Sequence, residues 1–440
     1  MPSCPTSRDA HPPTSAPSEI VTTKSIRDVA PRLPNFGERW IDYHAGDTHA
    51  EARQAIPVSF CLSLSTVVSL ITLRTPTSRA AGLYGILSNT VLSDLKLVST
   101  QRIPSLDGLR AISITLVVLS HLIKWKHVAL GPMQPYAALG VHMFFVLSGY
   151  LITNLLLREH ELSCTISLKD FYLRRAFRIF PAAFVFLAIV IALYWREMRW
   201  YHTAAALLYV ANMDLTRPWI FGHLWSLSIE EQFYLLWPLT LKKWHRHRTA
   251  ILLCVSLATP VFIAALHAFK VKNGLVGSLP VFADQLAIGC LLAIFGPRLP
   301  KIPDYVALLM VAGMILSPWY PATSAWRTLF MLFVIRPLLN LSVAGVVLHV
   351  TQHPYRALNW APVAWLGKVS YSLYLWQELF CSNATLHYGY VLALPALVCA
   401  TLSYYLVEQP MLRLRDRSAR KSVPIAPPAS EDTQPSLSFP

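Results

Sequence analysis

Two residues of one apolar stretch raise the question of chemistry first. Arg110 and His121 lie eleven residues apart. On an α-helix eleven residues turn through about 1,100°, roughly 20° past three full turns, so the two side chains share a face about 16 Å apart along the axis. Ionisable groups at membrane depth are costly, and each is a functional candidate by default. An imidazole there could act as a base or be acylated itself. The pair alone fits a plainer reading slightly better: Arg110 anchors one membrane surface and His121 ends the helix at the other.

Three further groups carry comparable signals. Arg175 and Arg178 are spaced i,i+3 on one helical face. Guanidinium forks match phosphate geometry, so a basic mouth here suits a phosphorylated donor. On spacing alone, positively charged loops facing anionic lipid are the more economical explanation. The run from His223 to Tyr234 opens an apolar segment with two acids, a Gln, a His and two Ser. Ser226, Glu230 and Tyr234 share a face at i,i+4 spacing, whereas Glu231 points about 100° away from Glu230. Acids near a helix N-terminus are favourable with the dipole, but that does not account for the accompanying Gln, His and Ser, and the functional reading is stronger here.

Ser148-Gly149 could serve close helix packing or line a cavity. Tyr374 belongs to a hydroxyl-rich run, Ser370 to Glu378. Asp284 and Arg336 also fall within apolar stretches, where they could form a structural ion pair. No Walker loop, GxSxG, HExxH or dinucleotide fingerprint occurs.

These residues need apolar helices to carry them. The chain has 440 residues, 54% hydrophobic and 14% charged, against about 25% charged in soluble domains. That is too little charge for a soluble protein of this length. The net charge of +15 would suggest nucleic acid in a soluble protein; in a membrane protein it reads as basic cytoplasmic loops, with no nucleic-acid partner. Seven cysteines at no metal-like spacing, without CxxC, argue against disulfides, zinc or any other metal site.

A helix needs about 20 mostly apolar residues to cross the hydrocarbon. Ten such stretches occur, near 108–123, 137–157, 179–195, 225–241, 249–268, 280–296, 303–318, 328–349, 362–380 and 388–407. The short apolar piece 203–213 predicts a half-helix or an interfacial segment. The fold class is therefore an all-α polytopic membrane protein, a bundle of about ten transmembrane helices around a polar cavity. Three regions follow. Residues 1–100 form a largely disordered extension with one marginal apolar segment at 55–73, residues 101–412 the membrane domain, and residues 413–440 a basic, then Pro/Ser-rich disordered tail. With both ends of the core inside, Lys and Arg divide roughly 19 to 8 in favour of the cytoplasm. That predicts a multi-pass protein of the plasma (inner) membrane. The sequence carries no signal for an oligomeric state.

Together these segments resemble the membrane acyltransferase-3 family, polytopic O-acyltransferases of bacterial surface sugars. The resemblance covers about residues 104–415. It rests on Ser105-Leu-Asp-Gly-Leu-Arg110 with His121, Phe144 to Tyr150, Arg175-Ala-Phe-Arg178-Ile-Phe-Pro181, Leu224 to Tyr234, Ser370 to Trp376, and Glu408-Gln-Pro410. No one element is specific, but six in order are. The resemblance implies no bound cofactor, with acyl-CoA, most often acetyl-CoA, as co-substrate. It implies phosphate contacts from Arg175 and Arg178 and catalysis by His121, with Arg110 near the cavity mouth. Glu230 would orient or charge-balance the histidine, and Ser148, Ser226, Tyr234 and Tyr374 would line the cavity. The acyl group would pass to a hydroxyl of a carbohydrate, such as a lipid-linked glycan or surface polysaccharide.

Three departures stand out. Gln377 occupies a position where the family often has His, and His142 one where an acid is common. The first 100 residues have no recognised counterpart. The roughly 30 residues after Met411 are too few for the esterase domain that some relatives carry. The main rival reading is a transporter or flippase for a glycan or small solute, and a third is a scaffolding subunit. A transporter has no need of a basic mouth sized for coenzyme A.

Overall fold

The computed structural model describes residues 104–123, 134–196, 198–320, 324–380 and 393–421. The extension, with its apolar segment 55–73, and the tail beyond residue 421 lie outside the described residues.

The described chain is helical. In order come α1 (Pro104–Ile123), α2 (Gln134–Ser163), α3 (Leu168–Tyr194) and the short α4 (Trp200–Leu207). α5 (Leu224–Lys243), α6 (Arg248–Ala268), α7 (Leu279–Phe295) and α8 (Asp304–Leu316) follow. α9 (Ala325–Gln352) is continuous through a π-turn at Met331–Ile335. α10 spans Ala361–Phe380 and α11 Ala393–Ser403; a π-turn at Tyr404–Glu408 leads into α12 (Gln409–Lys421). Each of the ten expected stretches is helical over nearly all of its described length, and 203–213 overlaps α4 as a two-turn piece. The basic residues 413–421 continue the last helix, where the composition suggested the start of a disordered tail.

Among the described residues six helical segments are long and apolar enough to cross a membrane: α1, α2, α3, α6, α7 and α9. Their outward residues fit lipid as the solvent. On α6, Leu253, Leu257 and Val261 form an exposed stripe at i,i+4 spacing, which water would penalise and hydrocarbon does not. Prolines inside α3, α5 and α6 (Pro181, Pro238, Pro260) are of the kind that membrane helices tolerate.

The helices α10, α1, α2, α7 and α6 pack side by side in that succession. Glycines set the closest approaches. A Cβ at Gly149 on α2 would collide with the carbonyl oxygen of Leu286 on α7, and one at Gly289 with that of Val146. A Cβ at Gly367 on α10 would strike the carbonyl oxygen of Asp107 on α1. These contacts bring the backbone of α1 against α10 and that of α2 against α7, as small residues do in lipid. The apolar core at one end is shared by Leu106 and Leu109, Met143 and Val146, Leu292, and Val343 and Val347.

Asp284 and Arg336 do pair across the bundle. The guanidinium Nε and Nη2 donate to the two carboxylate oxygens, and Asn340 Nδ2 donates to Asp284 Oδ2 at 2.8 Å. Arg336 is 1% exposed and Asp284 3%. His142 is fully buried in the same neighbourhood.

Candidate active site

The residues singled out in the sequence fall into two clusters joined along one face of α5. At the first, Arg110 from α1 and Arg175 and Arg178 from α3 converge closely enough for their charges to act on one another. Arg175 lies 4.9 Å above the ring of Tyr234, a cation–π contact. Arg110 has Asp107 at 3.8 Å, one turn earlier on its own helix. Arg174, the neighbouring cation, is already committed: its Nη2 bonds Glu159 at 2.9 Å. Glu230, Glu231 and Glu408 approach the three arginines from α5 and the last π-turn. Ser148 Oγ donates to Glu230 Oε1 at 2.7 Å and accepts from Tyr234 OH at 3.1 Å. Ser372 Oγ donates to Glu408 Oε2 at 3.2 Å.

The second cluster surrounds His121, which is 7% exposed. Its Nδ1 lies 2.8 Å from Gln377 Oε1 and 3.6 Å from Glu378 Oε1, both on α10. Trp219 meets the imidazole edge-on at 6.0 Å between centroids. Trp219 belongs to the segment between α4 and α5, which is tied down from within. Arg217 donates to the carbonyl oxygens of Ala211, Asp214 and Gly222, and His202 Nδ1 bonds Asp214 Oδ2 at 2.5 Å. Burial would raise the Asp214 carboxyl, but hydrogen bonds from His202 and from the side chain and backbone of Thr216 outweigh it and hold the group below its ordinary value.

Between the clusters runs a seam of polar groups. Ser226 Oγ and Tyr374 OH are 2.5 Å apart, and Tyr374 OH donates to the His223 carbonyl at 3.1 Å. From His223 through Ser226 and Glu230 to Tyr234 is eleven residues, about 16 Å of helix. This matches the separation of Arg110 and His121 on α1. Ser226 and Tyr374 belong to this seam, and Ser148 and Tyr234 meet it at the arginine cluster.

Two outcomes differ from the sequence reading. The carboxylate beside His121 is Glu378 of α10, not Glu230. Glu230 lies two turns farther along α5 than His223, about 10 Å away, where it bonds Ser148 and faces the arginines. Gln377, set aside as a departure from the family pattern, is completely buried, with its amide oxygen 2.8 Å from His121 Nδ1. His223, read in the sequence only as the start of the run that ends at Tyr234, is part of the site as well. It is 2% exposed, and neither ring nitrogen has a hydrogen-bond partner. A buried imidazole left unsatisfied points to a ligand or water in the cavity. The usable signal was its place three residues before Ser226 on the face that carries the seam.

Among the described residues no group of three or more His, Cys, Asp or Glu side chains could hold a metal ion.

The model of the family described as "Acyltransferase domain" matches residues 103–407. The chain belongs to the acyltransferase-3 family. It is 33% identical over 316 residues to the peptidoglycan O-acetyltransferase OatA of Listeria monocytogenes, covering 63% of this chain and 49% of that protein. The putative peptidoglycan O-acetyltransferase YrhL of Bacillus subtilis is 29% identical over 377 residues, 73% of this chain and 56% of the relative. The O-acetyltransferase OatA of Staphylococcus aureus is 28% identical over 362 residues, with 72% and 58% covered. The chain thus spans about half the length of the curated relatives it matches. No solved structure matches it significantly. The family match contains both clusters and the seam between them, except Glu408, which follows its last residue.

Proposed function

We propose that this chain is an integral-membrane O-acyltransferase. It moves an acyl group, an acetyl group in the simplest case, from cytoplasmic acyl-CoA to a hydroxyl of a carbohydrate acceptor such as a lipid-linked glycan or surface polysaccharide. The observation that carries this reading is the polar seam from the arginine cluster to His121. Coenzyme A carries phosphates that stay on its own side of the bilayer, whereas the acyl thioester at the end of its long arm can reach along a polar path.

In this reading Arg175 and Arg178 receive the phosphates of the donor, and Arg110 adds positive charge at the mouth. His121 acts at the far end. As a base it takes the proton of the acceptor hydroxyl while that oxygen bonds the acyl carbonyl carbon. The C–S bond then breaks, and the departing thiolate takes the proton back from the imidazolium. As a nucleophile it bonds the carbonyl carbon first and the C–S bond breaks to release the thiolate; the acceptor oxygen then takes the acyl group from the nitrogen, and the hydroxyl proton ends on the thiolate as coenzyme A thiol. Ser148, Ser226, Tyr234 and Tyr374 line the path. Glu230 balances the arginines, and Glu378 faces the histidine.

The same reading places the chain in the plasma (inner) membrane with both ends of the core cytoplasmic, residues 1–100 as an extension and residues 413–440 as a tail. Membrane lipids, the donor and the glycan are its partners.

The test supplies radiolabelled acetyl-CoA to inside-out vesicles that carry the native membrane glycans, comparing wild type with His121→Ala. Label should appear on glycan with the wild type and fall at least 100-fold with the variant. Equal labelling by the two would overturn the mechanism. Solute flux without acyl transfer would favour a transporter.

A further inference from the structure

The surroundings of His121 bear on which of its two nitrogens reacts, a question the proposed function leaves open and on which this inference depends. His121 Nδ1 is 2.8 Å from Gln377 Oε1. Gln377 has no exposed surface, and its Nε2 donates toward Glu378 Oε1 at 3.5 Å. A carboxylate oxygen only accepts, so the amide NH2 belongs on the Glu378 side and the amide oxygen on the histidine side. An amide oxygen also only accepts, so the proton between it and the imidazole must sit on Nδ1.

We propose that Gln377 is a positioning residue that fixes the tautomer of His121. Its amide oxygen holds the Nδ1–H, so Nε2 keeps its lone pair and is the reacting atom. Glu378, 3.6 Å from the same Nδ1, adds negative charge opposite the imidazolium that forms when Nε2 takes a proton or an acyl group. The arrangement divides two jobs that one carboxylate performs in a Ser-His-Asp triad: holding the ring, and balancing its charge. A histidine at position 377, which the family often has, can donate or accept at either nitrogen. A glutamine whose NH2 is turned to Glu378 can offer His121 only an acceptor.

The experiment uses the full chain in vesicles of native membrane and follows kcat and KM with labelled acetyl-CoA. Gln377→Met keeps the size of the side chain and removes the acceptor; Gln377→Leu is a second apolar variant, and Gln377→Glu keeps an acceptor oxygen. A wrongly set histidine tautomer costs about 10^4-fold in kcat in the serine-protease triad, and a tautomer merely left free costs less. The expectation is a loss of about 100-fold or more in kcat for Met and Leu, with KM for the donor within about threefold, because the arginine cluster is untouched. Gln377→Glu should lose no more than about tenfold.

A purely structural role predicts the opposite order, since a buried carboxylate is harder to accommodate than Met. The proposal is overturned if Gln377→Met keeps kcat within threefold of wild type, if the Glu variant is the more damaged of the two, or if neither apolar variant folds. His121→Ala run beside them separates the two levels of the argument. An active His121→Ala removes the catalytic assignment itself. An inactive one together with an active Gln377→Met removes only the tautomer assignment.

Discussion

The Asp284–Arg336 pair gives a sharp test of how the bundle is held together. Asp284→Leu removes both carboxylate acceptors from a guanidinium that is 1% exposed, and it takes from Asn340 the oxygen that its amide bonds. Removing one partner of a buried ion pair costs about 3–5 kcal/mol, because the other charge is left uncompensated. An unfolding entropy of about 2.1 cal/mol/K per residue, over a membrane domain of roughly 300 residues, makes that a fall of about 5–8 °C in Tm. Thermal unfolding of the purified chain in detergent, read by the protein remaining monodisperse after heating, would measure it. Asp284→Leu with Arg336→Leu should recover most of the loss, because two apolar side chains replace a pair that is costly to desolvate. At a permissive temperature the single variant should transfer acetyl groups at the wild-type rate per folded molecule, since the pair touches neither cluster of the site. A fall of less than about 1 kcal/mol for the single variant, or a double variant no more stable than the single, would refute the reasoning.

Two more predictions concern the two ends of the site. Arg175→Met should raise KM for acetyl-CoA by about 10- to 100-fold with little change in kcat, the loss of one charge-assisted hydrogen bond of about 1.5–3 kcal/mol, while Arg175→Lys should fall between, keeping the charge but not the fork; a kcat effect as large as the KM effect would count against a donor-binding role. The depressed Asp214 carboxyl stabilises the segment joining α4 to α5 at pH above its unfolded value, and that contribution is lost as pH falls through the lower folded value. Hydrogen exchange in residues 208–222 should therefore stay protected at neutral pH and rise on acidification below the ordinary carboxylate range. Asp214→Asn should remove the pH dependence, and an unchanged acid response in that variant would refute the assignment.

The fold class was legible because it rests on local quantities. Apolar runs of about 20 residues with few charges can satisfy their backbone in lipid only as helices, and every expected stretch is helical over nearly all of its described length. The arginine pair and the α5 face could also be read from spacing, since i,i+3 and i,i+4 neighbours share a face whatever surrounds them, and Asp284 and Arg336 were marked by their charge within apolar stretches. Partners across the bundle could not be read in this way. Glu230 and Glu378 are both acids in hydroxyl-rich apolar runs, and nothing in either run says which faces His121.

The sequence by itself determined a basic, helical membrane chain with ionisable groups at depth, and which of those groups share a helix face. The tertiary structure decided the pairings. Gly149 against Leu286 and Gly367 against Asp107 bring the backbones of different helices into contact, and the depth at which α10 meets α1 puts Gln377 and Glu378 beside His121. Depth and rotation between helices are set by packing over the whole interface. A residue's own neighbours in sequence carry no record of them, and so Gln377, in the sequence only a departure from the family pattern, meets the histidine at 2.8 Å in the fold.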